Sequence, residues 1–242
     1  MNEMILQLYG RKSVRAYLDQ EIGRAEKDAI LRAAAEAPTA GNQQLYTILD
    51  ITDPAIKAKL VDTCDHQPFI AKAQMVLVFC ADCRKWYEGF KAADCEPRKP
   101  GVGDLFIAIS DANIAAQNAV TAAQSLGIGS CYIGDIMENA EQQRALLHLP
   151  EYVFPAAMLV FGYPTRQQQE RKKPGRVAME HIVHENGYRC MSGDEMQAMW
   201  SPHAGEKGYQ AWMQAFCSRK YNSDFSRERN RSVAVYLEQF AE

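Results

Sequence analysis

The sequence predicts a chain of mixed α and β structure, a mixed sheet with helices on both faces, and three observations carry that prediction. Residues 75–81 and 156–163 are strand-length runs apolar on both faces, the pattern of interior strands. Helical patterns are interleaved with them along the chain. The longest helical pattern, Asp104 to Leu126, is lined with small residues that permit close packing against a neighbour.

The elements follow in order. Arg24 to Glu36 is Ala-rich, with Ile30, Leu31 and Ala34 on one face, and Pro38 stops it. Leu45 to Ile51 reads as a strand, and Pro54 opens a short helix. The run at 75–81 is the next strand. Asp104 is placed to cap the long helix, in which Leu105, Ile109, Ala116, Val120 and Ala123 recur at three- and four-residue steps; Gly127 ends it. Ser130 to Gly134 is a short strand, and Asn139 to Leu149 is a helix closed by Pro150. Ala156 to Tyr163 is another interior strand, ended by Pro164. Thr165 to Arg176 is polar and basic. Ser192 and Glu195 form a capping box at a further helix start. Beyond residue 186 the interior-strand signals vanish, and the aromatic-dotted tail needs another surface to bury against. A core of 1–185 and a helical extension of 186–242, packing on the core or on a second subunit, is the expected organisation. No internal repeat is visible.

With 242 residues and a net charge of -3, the chain is long enough for a substantial core and poorly suited to nucleic acid. No apolar run approaches bilayer length, and the amino terminus lacks the pattern of a secretory signal, so a cytoplasmic location is expected, with no membrane partner. Seven cysteines, an odd number, suggest reduced thiols. Cys80 and Cys83 have metal or redox spacing, but Cys80 lies in an apolar strand where cysteine serves as a small hydrophobe, so no metal site is expected.

Neither the Gly-x-Gly-x-x-Gly fingerprint nor a phosphate loop is present, so a phosphate-bearing cofactor would have to be held by side chains. Arg11, Lys12, Ser13 and Arg15 offer this: guanidinium groups grip phosphate oxygens bidentately and a serine adds a directional donor. Read alone, the run is first of all a solvated loop, as charge runs usually are.

Together with Pro38–Gln44, Gln67, Tyr132–Asp135 and Lys173–Arg176, in that order and spacing, the run resembles the FMN-dependent nitroreductase family, closest to its group A branch. The resemblance implies an α+β nitroreductase-like fold: a central mixed, mainly antiparallel sheet flanked by helices, dimeric, with a C-terminal extension. It assigns Arg11, Lys12, Ser13 and Arg15 to the phosphate and ribityl chain. It assigns Thr39, with Asn42 and Gln44, to a loop reaching the flavin from the partner subunit. Gln67 is matched to a glutamine that hydrogen-bonds the flavin, and Tyr132, Ile133, Gly134 and Asp135 to a turn beside the ring. Lys173 and Arg176 match a pair near the phosphate and pyrimidine edge. Two departures stand out: Gly175 lengthens Lys-Pro-Arg, and Asp135 replaces a glycine.

The implied activity is ping-pong hydride transfer from NADPH or NADH, NADPH being favoured, through flavin N5 to nitroaromatics, quinones or free flavin, with no catalytic side chain. A flavin-binding sensor or interaction module, or a dehalogenase-like enzyme on the same scaffold, are the alternatives. Arg219, Lys220, Arg227, Arg229 and Arg231 read either as a dock for the NADPH 2′-phosphate or as a helix face paired with acidic neighbours.

Overall fold

The structure is a computed structural model describing residues 1–241. It divides into two compact units, one of residues 1–171 with the chain from Glu228 onward, the other Lys172–Arg227. In the first unit, β1 (Tyr46–Asp50), β2 (Met75–Asp82), β3 (Gly129–Ile133) and β4 (Val153–Gly162) form an antiparallel sheet in the order β1-β2-β4-β3. Its helices are α1 (Glu3–Gly10), α2 (Arg24–Ala35), α3 (Pro54–Thr63), α4 (Phe69–Lys72), α5 (Arg84–Ala92), α6 (Val102–Ser125), α7 (Ala140–Leu147) and α8 (Arg166–Glu170). The second unit holds α9 (Gly193–Ala204) and α10 (Tyr209–Phe216), and α11 (Asp224–Leu237) begins there and continues into the first.

Every residue of β2 and β4 is buried, as their two-sided apolar sequences demand. Successive side chains alternate between faces. Leu77, Phe79 and Ala81 join one core with α2 and α6; Val76, Val78 and Cys80 join another with Leu60, Ile70 and Leu147. The alanines of α6, among them Ala108, Ala112, Ala116 and Ala119, are fully buried, which lets the helix backbone approach the sheet closely. Tyr236 and Phe240 complete the first core, their rings meeting Phe154 and Tyr152 edge-on.

Helices α1, α4, α5 and α8 had no counterpart in the sequence reading. The start of α6 also differs: it begins at Val102, and Asp104 caps it from the third helical position by accepting from the Gly101 N–H at 2.8 Å. Cys80 and Cys83 are buried and free, and burial pushes both thiols up to about 12, which makes them poor nucleophiles.

Candidate functional site

The segment after α1 lies along the β3 edge of the sheet. The Val14 N–H donates to Ser130 O at 2.9 Å, Ser13 bridges Ser130 in parallel, and Tyr17 bridges Pro164. Two glycines make this close approach possible. A Cβ on Gly129 would stand 2.6 Å from Val14 Cγ2, and one on Gly162 2.6 Å from the Tyr17 ring. Residues 13–17 are therefore an extended strip clamped to the sheet, which fixes where the flanking cations emerge.

Each cation has a different circumstance. The Arg11 guanidinium lies over the Tyr132 ring at 5.8 Å, and its Nε and Nη2 are buried without a hydrogen-bond partner. Burying guanidinium donors unpaired is costly, so an anion is the natural complement. Lys12 points elsewhere: its Nζ donates to Gln169 O at 2.6 Å and also to Arg171 O, closing the carboxyl end of α8. The Ser13 carbonyl accepts from Arg171 Nη2 at 2.7 Å. Arg15 is exposed, its guanidinium 5.9 Å from the centre of the Phe69 ring.

Tyr132 stands on β3 and is half-buried, its hydroxyl pushed up to about 12 by burial against the opposing pull of Arg11. Ile133 is buried, Gly134 is exposed, and a Cβ on Gly134 would meet nothing within 4 Å, so space is open beside this turn. Asp135 accepts from Gln67 Nε2 at 2.6 Å, and the same amide nitrogen donates to Cys64 O at 2.9 Å. Arg11, Ser13, Arg15, Gln67 and Tyr132–Asp135 thus form one neighbourhood, linked through Phe69 at the start of α4.

Thr39 and Asn42 stand apart from it. Their loop precedes β1, at the opposite edge of the sheet, with β2 and β4 between, both covered on two faces. Three strand spacings amount to roughly 14 Å. The loop is rigidly built. Thr39 Oγ1 accepts from Gln44 N at 3.2 Å, Asn42 Oδ1 accepts from Gln44 Nε2 at 2.8 Å, and Gly41, Asn42 and Gln44 all take positive φ. Buried Asp111 on α6 accepts from Ala40 N at 3.0 Å and Leu45 N at 3.3 Å, tying both ends of the loop to the core.

Lys173, half-buried, and Arg176, exposed, belong to the second unit. Among the tail cations, Arg231 pairs with Glu141 and Glu228, Arg219 lies over Phe216 and Lys220 over Phe225. Arg231 thus has acidic neighbours, whereas Arg219 and Lys220 face aromatic rings.

The sequence reading missed Asp111, Phe69, Ser130 and Glu138. Asp111 had a signal, a lone acid on the buried alanine stripe of α6. Ser130 and Phe69 had none, because their part is to hold other residues through contacts distant in sequence.

The nitroreductase family model matches residues 8–163. The FMN reductase (NAD(P)H) of Bacillus subtilis is 31% identical over 242 residues, covering 98% of this chain and 92% of the relative. The oxygen-insensitive NADPH nitroreductase of Salmonella typhimurium is 35% identical over 190 residues, covering 78% and 76%. Among solved structures, that of Bacillus megaterium NfrA2 superposes with a TM-score of 0.85 at 28% identity, covering 99% of this chain and 98% of that one.

Proposed function

Because this chain belongs to the nitroreductase family, we propose that it is an FMN-dependent NAD(P)H oxidoreductase, passing hydride by a ping-pong cycle from nicotinamide, through flavin N5, to nitroaromatics, quinones or free flavin. The observation that carries the cofactor assignment is Arg11, a buried guanidinium with two unpartnered nitrogens next to the Ser13 strip. A flavin phosphate supplies the acceptors those donors lack. Arg15, exposed beside Phe69, adds a second cation, whereas Lys12 serves by holding the α8 turn in place. Tyr132–Asp135 and Gln67 are assigned to the ring, next to the open space at Gly134. Lys173 or Arg176 is assigned, by resemblance, to balance the negative charge gained on reduction. Acceptor selection then rests on stacking and shape, with no dedicated proton donor.

The active form is proposed to be a homodimer with the cofactor at the interface. Two features support it. The Thr39–Asn42 loop and the Arg11 neighbourhood occupy opposite sheet edges of one chain, so a site using both draws the loop from a second copy. Apolar side chains that a monomer would leave wet also cluster on α1 and α6, with Met4 66% and Phe106 64% exposed and Leu6, Leu8, Ile107 and Ile114 beside them in sequence. A cytoplasmic location accords with seven free cysteines. No helix among the described residues is long and apolar enough to cross a membrane.

Anaerobic titration of the purified yellow protein with NADPH and with NADH tests the activity. Bleaching of the flavin absorbance, restored by a quinone or nitroaromatic, is the expected result. A flavin that neither nicotinamide bleaches would instead mark a sensor or binding module.

A further inference from the structure

The turn that follows β3 carries a second acid close to Asp135. Residues Gly134–Met137 form a 3-10 turn, in which side chains three apart eclipse one another, and the Glu138 N–H donates to Asp135 O at 3.0 Å. Asp135 and Glu138 stand at the two ends of that backbone bond, and their carboxyls act on each other. Glu138 is 3% exposed, and its Oε1, fully buried, finds no N–H or O–H donor. Two adjoining carboxylates cannot both be ionised cheaply, and a proton held between them relieves that cost.

We infer that Asp135 and Glu138 share a single proton, and that this pair, which also holds Gln67 by its amide, couples the reduction of the bound flavin to pH. The coupling rests on the flavin assignment above; the shared proton does not. Asp135 occupies the turn assigned to the ring, so the charge of the pair acts on the negative charge that reduction adds there. With its proton the pair carries one negative charge. When the proton leaves for solvent it carries two, and reduction becomes harder.

Other groups facing the pair set where this happens. Burial is the largest influence on Glu138, followed by Asp135 itself; Arg229 on α11 pulls the other way and Asp65 adds to the rise, so that Glu138 is pushed up to about 8. Cys64, at the end of α3, is itself pushed up to about 12, chiefly by burial and partly by both acids, and stays a neutral thiol. Glu228, also on α11, is committed to Arg231 and the Asn139 N–H, which holds it ionised. Asp135 and Glu138 are positioning residues: they act on the cofactor through charge and through the orientation of Gln67.

Two measurements test the inference. Infrared spectra of the apoprotein, titrated upward from neutral pH, should show a carboxylic-acid C=O band that disappears near pH 8. The band should be absent from Glu138→Gln. A wild-type spectrum without the band, or a band retained in Glu138→Gln, overturns the shared proton. The second measurement is the midpoint potential of the bound FMN against pH. Wild type and Glu138→Gln should coincide in acid and separate above about pH 8, the wild type falling lower, while Asp135→Gly lies above both in acid. Curves for wild type and Glu138→Gln that coincide at every pH overturn the coupling. A protein that refuses FMN overturns the coupling and the flavin assignment together, and leaves the infrared result to decide the shared proton.

Discussion

Arg11 and Lys12 are neighbours in sequence with opposite circumstances. The first buries donors that lack acceptors, and the second spends its ammonium on the carbonyls that end α8. Arg11→Ala should therefore weaken FMN binding about tenfold or more, the scale of one hydrogen bond to a charged group. Lys12→Ala should cost less affinity and show its effect as a looser 166–171 turn. Fluorescence titration of apoprotein with FMN measures the first, and limited proteolysis the second. At Glu138 the sign of the pH effect follows from a carboxyl raised to about 8 in the folded chain against its ordinary value near 4.5. The folded state holds the proton more tightly, so its contribution is full in acid and is lost as pH rises through about 8. Melting temperatures should fall across that interval in wild type and fall less in Glu138→Gln. Residue types alone showed which cations could meet a phosphate. Which of them carries free donors depends on carbonyls more than 150 residues away in the chain, at Gln169 and Arg171.

At the scale of elements, the strip 13–17 and the loop 38–45 are held by small or buried residues with no chemistry of their own. Gly129→Ala would drive a methyl into Val14, an overpacking that costs about 1–3 kcal/mol if the strip stays and moves the strip if it does not. Either way FMN retention should drop, measured as the yellow fraction surviving gel filtration. Asp111→Ala leaves the N–H groups of Ala40 and Leu45 without their carboxylate and should cost about 2 kcal/mol in urea denaturation. The strands were legible because their apolar runs are long and two-sided. Helix α1 was not legible, since an apolar helix with no buried residue satisfies no pattern within one chain. Helix α5 escaped because its aromatics, Trp86, Tyr87 and Phe90, are spread through a charged stretch and only half covered.

On the scale of the whole molecule, the opposed sheet edges lead to a complementation experiment. Homodimers of Arg11→Ala and of Thr39→Ala should each bind FMN weakly. A mixed dimer carries both lesions at one interface site and neither at the other, so subunit exchange between the variants should restore one tight site per mixed dimer. Calorimetry on the exchanged sample reads this directly, and weak binding throughout would mean that both residues serve the same site from the same chain. What the sequence determined by itself was the set of chemical groups and the order of elements, because cationic clusters, apolar periodicity and capping residues are local properties of the chain. The motif at 11–15 and its companions carry the family resemblance that implies a flavin phosphate. The tertiary structure decided which groups meet: Gln67 with Asp135, Asp135 with Glu138, Arg11 with Tyr132, and Thr39 with none of these. Such meetings are set by strand order and by burial, which are properties of the packed chain as a whole.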